Sequence, residues 1–169
     1  MNRMITNGRV KRVNTKSNPG NNGEIAMTEE RVLIVDDEVE FTEVLSQRMQ
    51  SRGIAVDTAA GGREALEKAR DHCYDAIVLD LAMPEMDGME TLKHLLGENP
   101  DLQVIVLTGY ATVEKGVEAI KLGAMEFLKK PAELKELIEQ IHRAQAKKML
   151  LVEKRVEERM KDILQSKSW

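Results

Sequence analysis

The sequence is poor in cysteine, aromatic residues and proline. Its 169 residues include a single cysteine, Cys73, and four prolines, and aromatic residues make up 3%. One cysteine excludes an intramolecular disulfide and favours a reducing, cytoplasmic setting. Cys73 falls between a predicted helix and a predicted strand, where we expect a buried and unreactive thiol. Because 42% of the residues are apolar but few are aromatic, the expected core is aliphatic.

Long hydrophobic runs are also absent. The longest uncharged apolar-rich run, residues 102–113, has 12 residues, whereas a membrane-spanning helix needs about 20. The N-terminus has basic residues but no apolar stretch behind them, so it lacks the pattern of a secretory signal. We therefore expect no membrane insertion.

Charge is distributed unevenly along the chain. Residues 1–26 carry five Lys/Arg and one Glu, residues 27–131 carry 11 basic and 21 acidic residues, and residues 132–169 carry nine basic and seven acidic residues. The acidic middle disfavours direct binding of nucleic acid. It suits a domain that gathers metal ions on carboxylates.

Composition divides the chain into three parts. Residues 1–28 are rich in Asn and Gly and show no periodicity, which predicts a disordered basic arm of unknown role. Residues 29–145 form the predicted folded domain, and residues 146–169 form a predicted helical extension, either a coiled coil or a linker.

Within the folded part, short β-branched runs alternate with helical patterns. Gly53 and Gly123 stand where helices are expected to stop. Such a βα repeat predicts a parallel sheet with helices on both faces. The predicted strands are 32–35, 54–59, 76–79, 104–107 and 125–128, and the predicted helices are 38–52, 62–72, 88–97, 112–122 and 132 onward.

Acidic residues follow two of these apolar strands. Asp36 and Asp37 follow residues 32–35, and Asp80 follows residues 76–79. In open α/β sheets, ligands bind beyond the carboxyl ends of neighbouring strands. If the two strands are neighbours, the three carboxylates repel one another unless a cation joins them. Oxygen ligands alone favour a hard ion such as Mg²⁺. The alternative is that these acids only begin loops, with Asp37 as a helix N-cap.

A hydroxyl and an ammonium group follow two further strands. Residues 104–107 lead into Thr108, and residues 125–128 lead to Lys130. Carboxylates, a hydroxyl and an ammonium around a hard cation make a phosphoryl-transfer site. In such a site Asp80 is the predicted nucleophile, because carboxylates form aspartyl phosphates. Taken singly, Thr108 and Lys130 have ordinary explanations, as a strand-end cap and a solvated lysine.

The residues around these strand ends form four motifs. In chain order they are Leu33-Ile34-Val35-Asp36-Asp37-Glu38, Asp80-Leu81-Ala82-Met83-Pro84-Glu85-Met86-Asp87-Gly88, Leu107-Thr108-Gly109-Tyr110 and Lys130-Pro131. Together they resemble the receiver domain of bacterial response regulators, over about residues 30–145. The resemblance implies a flavodoxin-like, doubly wound sheet of five parallel strands in the order 2-1-3-4-5, with an extended C-terminal helix here. It also implies a phosphoprotein of two-component or phosphorelay signal transduction.

The resemblance implies a role for each matching residue. Asp36, Asp37 and Asp80 would hold Mg²⁺ with the backbone carbonyl of Ala82, and Asp80 would accept a phosphoryl group. The donor would be a phosphohistidine on a sensor histidine kinase or a phosphotransfer protein. The remaining matches are Thr108 as the switch residue, Lys130 as the phosphate contact and Phe127 as the switch aromatic, although Phe127 also fits a plain core position.

A receiver of this kind catalyses only its own phosphorylation and slow dephosphorylation, so we do not expect an enzyme. The rival interpretation is an aspartyl-phosphate phosphatase, but Asp36-Asp37-Glu38 lacks the Asp-x-Asp arrangement of those enzymes. The sequence does not determine what the phosphorylated receiver acts on. The chain is either a single-domain relay protein or a receiver-plus-linker fragment of a larger transcriptional regulator.

The helical pattern after Pro131 continues much further than a small sheet requires. Only Gln145 interrupts a spacing close to an 11-residue repeat, which keeps one apolar stripe on a nearly straight helix. We expect a parallel or antiparallel homodimer through residues 149–163, tightened by phosphorylation. The alternatives are a helix that frays beyond Lys148 and a stripe covered by another segment. The apolar residues are Ile138, Ile141, Met149, Val152, Val156, Met160 and Ile163.

Overall fold

A computed structural model describes residues 29–167 of the chain. The arm predicted at residues 1–28 lies outside the described residues. Glu29 and Glu30, the first described residues, lead directly into the first strand. Strands and helices alternate strictly, as the sequence pattern predicts. They are β1 (Arg31–Val35), α1 (Val39–Gln50), β2 (Ala55–Ala59), α2 (Gly62–Asp71), β3 (Ala76–Leu79), α3 (Gly88–Glu98), β4 (Val104–Thr108), α4 (Val113–Leu122), β5 (Glu126–Lys129) and α5 (Leu134–Ser166).

The five strands form one parallel sheet in the order β2-β1-β3-β4-β5. This confirms the predicted doubly wound fold. The strand order reverses direction at β1 and β3, which are neighbours with Val35 opposite Leu79. The last residues of β1 and β3 therefore lie side by side, and the acids that follow them share one edge of the sheet.

Side chains from alternate strand positions pack into two aliphatic layers. On one face Leu33 and Val35 pack with residues of α2, α3 and α4, such as Leu92. On the other face Val32 and Ile34 pack with α1 and α5, whose contributions are Leu45, Met49, Leu137, Ile141 and Ala144. Strands covered on both faces must be apolar throughout, which explains the continuous apolar runs in the sequence.

Most local signals in the sequence correspond to observed helix ends. Gly53 and Gly123 both have positive φ, at 79° and 109°, as expected of helix-terminating glycines. Asp87 caps α3 and Thr112 caps α4, each accepting a backbone N–H bond three residues on. The N-cap of α1 is Glu38 rather than Asp37, so the capping alternative for Asp37 is wrong.

The prediction for Cys73 is also wrong, because its side chain is exposed. Cys73 lies in the short connection between α2 and β3, where only the neighbouring Tyr74 turns inward to the core. Four predicted strands differ from the observed ones by one residue at one or both ends: β1 begins at Arg31 and β4 ends at Thr108, whereas Ile54 and Met125 precede β2 and β5. Within residues 29–167, no helix has the length and apolarity needed to cross a membrane.

Helix α5 has 33 residues, and its two halves have different surroundings. Leu137, Ile141 and Ala144 are buried against the sheet. Further along, Lys148 Nζ donates to the carbonyl oxygen of Tyr74 at 2.8 Å and pairs with Asp75 Oδ1 at 3.0 Å. Arg155 pairs with Asp101 in the α3–β4 connection. These contacts, which we call the α5 clamp, hold the helix against loops at the amino ends of the strands.

Candidate functional site

Backbone hydrogen bonds extend the strand pairing one residue beyond the strands and fix the site residues. The Asp80 N–H donates to Val35 O at 2.9 Å, and the Asp36 N–H donates to Ala59 O at 3.1 Å. The Lys130 N–H donates to Thr108 O at 2.9 Å. The structure therefore brings the predicted Asp36, Asp80, Thr108 and Lys130 to one edge of the sheet.

Three carboxylates converge at this edge. One oxygen each from Asp36, Asp37 and Asp80 lies within 4.8 Å of the others. Asp36 and Asp80 are only 3% and 4% exposed, whereas Asp37 is exposed to solvent. Oxygen-only donors at this spacing, open to water on the Asp37 side, fit a hard divalent cation that keeps some of its waters. The residues present thus match the requirements of Mg²⁺.

The two buried carboxylates differ in how well they are partnered. Asp36 accepts from the Glu38 N–H at 2.9 Å through Oδ1 and from Lys130 Nζ at 2.5 Å through Oδ2. Asp80 accepts a long bond from the Ala82 N–H, at 3.4 Å, lies 3.9 Å from Lys130 Nζ, and has the Thr108 hydroxyl as a further neighbouring donor. Hydrogen bonds of normal strength have distances of about 2.7–3.2 Å. Asp80 therefore keeps lone pairs that no strong donor occupies.

Burial and the Asp36 carboxylate together raise the pKa of Asp80 above its ordinary value of 3.8. The charge of Lys130, the Thr108 hydroxyl and the Ala82 N–H oppose this increase without cancelling it. A cation that binds between Asp36 and Asp80 favours the ionised form, because opposite charges stabilise it. The site is therefore electrostatically suited to bind a cation.

Lys130 is held in place by a residue that sequence reasoning missed. Its Nζ lies 4.0 Å from the centroid of the Phe41 ring, in cation–π geometry. Phe41 is in the first turn of α1, and the chain contains only two phenylalanines. An aromatic residue one turn into the helix that follows an acidic pair was the available signal. The Lys130–Pro131 peptide bond is cis.

Thr108 is the last residue of β4 and is fully buried. Its Oγ1 accepts from the Tyr110 N–H at 3.2 Å, so the β4–α4 connection is linked to the threonine rotamer. The Tyr110 side chain is 66% exposed.

The loop after Asp80 packs closely against Gly88, the first residue of α3. A Cβ atom added to Gly88 would collide with the Asp80 carbonyl oxygen and the Leu81 Cα, so only glycine fits there. The Gly88 N–H donates to Leu81 O at 3.0 Å. The start of α3 is therefore packed directly against the backbone that carries Asp80. The predicted metal contact of the Ala82 carbonyl stays a prediction.

Phe127 lies on β5, opposite Val106, and is half-buried. It packs against α4, where a Cβ atom added to Gly116 would lie 3.3 Å from Phe127 Cδ1. Both predicted interpretations, a switch aromatic and a core residue, are compatible with this position. The switch role stays a prediction.

Comparison with known proteins identifies the class that this fold and site define. A family model of the response regulator receiver domain matches residues 32–142. The chain belongs to this family of receiver domains. This finding agrees with the resemblance of the four motifs.

Two curated relatives are transcriptional or adaptive regulators. The transcriptional regulatory protein ZraR of Escherichia coli strain K12 is 37% identical over 115 residues, covering 68% of this chain and 26% of ZraR. The acid tolerance regulatory protein ActR of Rhizobium meliloti strain 1021 is 36% identical over 107 residues, covering 63% of this chain and 55% of ActR. The chain thus spans about a quarter of the one and about half of the other.

Solved receiver structures share the fold. A CheY-like response regulator receiver domain protein from Methanospirillum hungatei JF-1 superposes with a TM-score of 0.69 at 29% identity. The match covers 72% of this chain and 98% of that protein. The family match ends at residue 142, so the outer half of α5 extends beyond it.

Proposed function

We propose that Asp80 accepts a phosphoryl group from a phosphohistidine on a partner protein, in a site that Asp36, Asp37, Asp80 and the Ala82 carbonyl complete with Mg²⁺. The observation that carries this proposal is the contrast between the two buried carboxylates. Asp36 has both oxygens engaged by strong donors, whereas the one backbone hydrogen bond to Asp80 is long, at 3.4 Å, and Lys130 Nζ stays 3.9 Å away. Among the two, Asp80 is the carboxylate free to act as a nucleophile.

The transfer needs little covalent chemistry from the protein. An Asp80 oxygen attacks phosphorus, an O–P bond forms, and the N–P bond to the histidine imidazole breaks, leaving the electron pair on the imidazole nitrogen. Bound Mg²⁺ would supply positive charge to the transferred oxygens. Lys130, 16% exposed and 3.9 Å from Asp80, is close enough to contact them as well. Positioning and charge neutralisation account for most of the expected rate.

Phosphorylation by acetyl phosphate tests the acceptor. Intact-mass measurement with Mg²⁺ should show one phosphoryl group on the wild type and none on Asp80→Asn. Asp71→Asn, which removes an exposed carboxylate at the end of α2, is the matched control and should be labelled like the wild type. Equal labelling of Asp80→Asn and wild type would disprove the assignment. With excess donor, release of many phosphates per chain would favour the phosphatase alternative, whereas a receiver releases about one for each phosphorylation.

The switch is proposed to run through Thr108. A phosphoryl group adds about −1.5 to −2 charges and three acceptor oxygens, and the Thr108 hydroxyl is the buried donor available to it. Thr108→Ala should still be phosphorylated but should lose the change in partner affinity that phosphorylation causes. Titration of partner binding with phosphorylated wild type and variant measures this. Equal affinities would contradict the role.

The proposed output is self-association through the outer half of α5. The proposed location of signalling is the cytoplasm, where regulators of this family meet their kinases. Support comes from the apolar side chains of residues 149–163, which are exposed in the single chain. Sedimentation of the full chain and of a chain ending at Lys147 tests the pairing. Monomers in both samples at high micromolar concentration, phosphorylated or not, would argue against it.

The relatives favour a larger context for the same receiver. ZraR is a transcriptional regulatory protein, and this chain matches about a quarter of it. We propose that the receiver and α5 act as the regulatory and linking parts of such a regulator, with no direct nucleic-acid contact by the receiver itself. Reading the genomic frame beyond Trp169 tests this. A stop codon directly after Trp169 would support the single-domain relay instead.

A further inference from the structure

We propose that Phe41 is a positioning residue of the phosphoryl-transfer site, an inference that rests on the proposed role of Asp80. Its ring holds the Lys130 ammonium beside Asp80 by a cation–π contact. The observation that carries this proposal is the distance of 4.0 Å between Lys130 Nζ and the centroid of the Phe41 ring. A cation within about 6 Å of a ring centroid is attracted by the ring. Phe41 lies three residues beyond the first motif, so the resemblance assigns it no role.

One carboxylate brings the ring and the ammonium together. Asp36 Oδ1 accepts from the Glu38 N–H at 2.9 Å, and Glu38 is the N-cap residue of α1. Asp36 Oδ2 accepts from Lys130 Nζ at 2.5 Å. The same side chain therefore fixes both the start of α1 and the tip of the lysine. Phe41 is the third residue of α1, and its ring lies against the ammonium as a result.

The Phe41 ring is itself well supported. It is partly buried and packs against the core layer to which α1 and α5 contribute. Phe41 and Lys130 also line the same groove of about 380 Å³, between α1 and the β5–α5 connection. Lysine has a flexible four-carbon stem, so its tip stays in one place only where its surroundings hold it. A packed ring on a helix is suited to hold a lysine that follows a strand.

Electrostatics explains why an aromatic residue suits this position better than an aliphatic one. The N-terminus of a helix carries a partial positive charge, which disfavours an ammonium group nearby. The Lys130 ammonium nevertheless contacts a side chain in the first turn of α1. The face of an aromatic ring carries partial negative charge, so Phe41 attracts the ammonium at this place. A leucine side chain would fill much of the same space but would supply no such attraction.

The position of the held ammonium determines its use in phosphoryl transfer. Lys130 Nζ is 2.5 Å from Asp36 Oδ2 and 3.9 Å from Asp80 Oδ2, and its side chain is 16% exposed. At 3.9 Å it lies beyond hydrogen-bond distance, so it brings positive charge to the site without occupying the acceptor oxygen. Without the ring, the ammonium could close onto Asp80 and block the nucleophile, or turn to solvent and leave the transferred oxygens. Either movement slows phosphorylation.

Fluorination of the Phe41 ring tests the contact in the full chain. Phenylalanines that carry increasing numbers of fluorine atoms are placed at position 41, because fluorine removes negative charge from the ring face and changes its shape little. The rate of Asp80 phosphorylation by acetyl phosphate and Mg²⁺ is followed by intact mass. Since this donor is a small molecule, docking of a kinase does not affect the rate. The rate should fall stepwise with each fluorine, by about tenfold in all.

Ordinary substitutions give the same comparison with and without a ring. Phe41→Leu should lower the phosphorylation rate by about tenfold, because the cation–π attraction is lost. Phe41→Tyr keeps the ring, and the adjoining groove has room for the added hydroxyl, so its rate should stay within about twofold of the wild type. Val44→Ala, a change at a 50% exposed apolar residue of α1 that lines the same groove, is the matched control and should leave the rate unchanged.

Nuclear magnetic resonance of the metal-free protein detects the contact without any phosphoryl transfer. Protons over the face of an aromatic ring are shielded, so the Lys130 Cε protons should resonate upfield of those of exposed lysines. This upfield shift should vanish in Phe41→Leu and persist in Phe41→Tyr. Lys121, an exposed residue in the last turn of α4, is the reference, and its Cε resonances should be the same in all three proteins.

The outcomes separate this inference from the function on which it rests. A stepwise fall in rate with fluorination, together with the upfield Lys130 resonances, would support the positioning role. A rate independent of fluorination would overturn it, even if Phe41→Leu were slow, because packing alone would then explain the ring. Equal labelling of Asp80→Asn and wild type would overturn the proposed function itself. The metal-free resonances of Lys130 do not depend on that result, so the two failures are distinguishable.

Discussion

Replacing the proposed acceptor should make the metal-free protein more stable. Asp80 is buried, and its pKa lies above its ordinary value of 3.8, so the folded state disfavours its carboxylate. Asp80→Asn keeps the size of the side chain and removes the charge. A raised folded-state pKa means that the cost is absent below pH 3.8 and complete above the folded pKa. The gain in stability should therefore appear at neutral pH and vanish in acid.

The size of the stability gain expected for Asp80→Asn depends on charges that act in opposite directions. At a separation of 4.8 Å and an effective dielectric constant of about 20, two carboxylates repel by about 3.5 kcal/mol. The attraction between Asp80 and Lys130, 3.9 Å away, offsets this repulsion by about 4 kcal/mol at the same dielectric constant. The Coulomb contributions nearly cancel, which leaves the cost of burying the charge. We expect Asp80→Asn to gain about 1–3 kcal/mol, or about 2–4 °C in melting temperature for each kcal/mol.

Thermal melts in a chelator and in Mg²⁺ provide the assay. With Mg²⁺ at about 100 times its dissociation constant, the wild type should gain about 2.7 kcal/mol, while Asp80→Asn, which lacks one ligand, should gain much less. Adding metal should therefore reduce the difference in melting temperature between Asp80→Asn and the wild type, or reverse its sign. Glu139→Gln, an exposed loss of the same charge on α5, is the control. A metal-free Asp80→Asn that melts at or below the wild-type temperature would refute the charge argument.

Three further changes test other parts of the structure. Gly88→Ala forces a methyl group into the Asp80 backbone and should cost at least about 2 kcal/mol by denaturant unfolding; Gly97→Ala, in open space, should not. Tyr74→Phe removes the 2.9 Å bond to Asp57 and should cost about 1 kcal/mol at neutral pH. Burial raises the Asp57 pKa, but the hydrogen bonds from Tyr74 and Arg31 lower it by more, so the net pKa lies below 3.8. The cost of Tyr74→Phe should therefore fade as the pH falls below 3.8. A difference in unfolding free energy that stays constant with pH would contradict the pairing. Ala82→Asn adds a group able to orient water beside Asp80, so its aspartyl phosphate should decay faster in a radiolabel chase; an unchanged or slower decay would contradict that.

Periodicity and strand chemistry were sufficient to predict a parallel sheet with helices on both faces. The runs of residues 32–35 and 76–79, which precede Asp36 and Asp80, are apolar because both faces of these strands are covered. Such runs, alternating with helices, are typical of a parallel sheet, and right-handed connections leave few topologies. The order of the strands came from the resemblance of the motifs and is confirmed by the structure.

The details of the site could not be predicted, because they depend on distances across the fold. Nothing in the sequence indicates that Lys130 pairs with Asp36 at 2.5 Å while remaining 3.9 Å from Asp80. The contact between Lys130 and Phe41 likewise joins residues far apart in the chain. The prediction for Cys73 was wrong for a local reason. Its exposure depends on the direction in which a short loop turns, and no periodic pattern specifies that direction.

The α5 clamp has a mechanical consequence. Since ion pairs and a buried face hold the helix to the receiver as far as Arg155, receiver and helix form one stiff body. The helix begins four residues after Lys130 and spans 33 residues, roughly 50 Å. Because the two move together, a reorientation of the whole receiver by only about 5° around the start of the helix displaces the far end by about 4 Å, more than half a helical turn. The tip of the helix therefore moves much further than the edge that carries Asp80, which lies near the start of the helix.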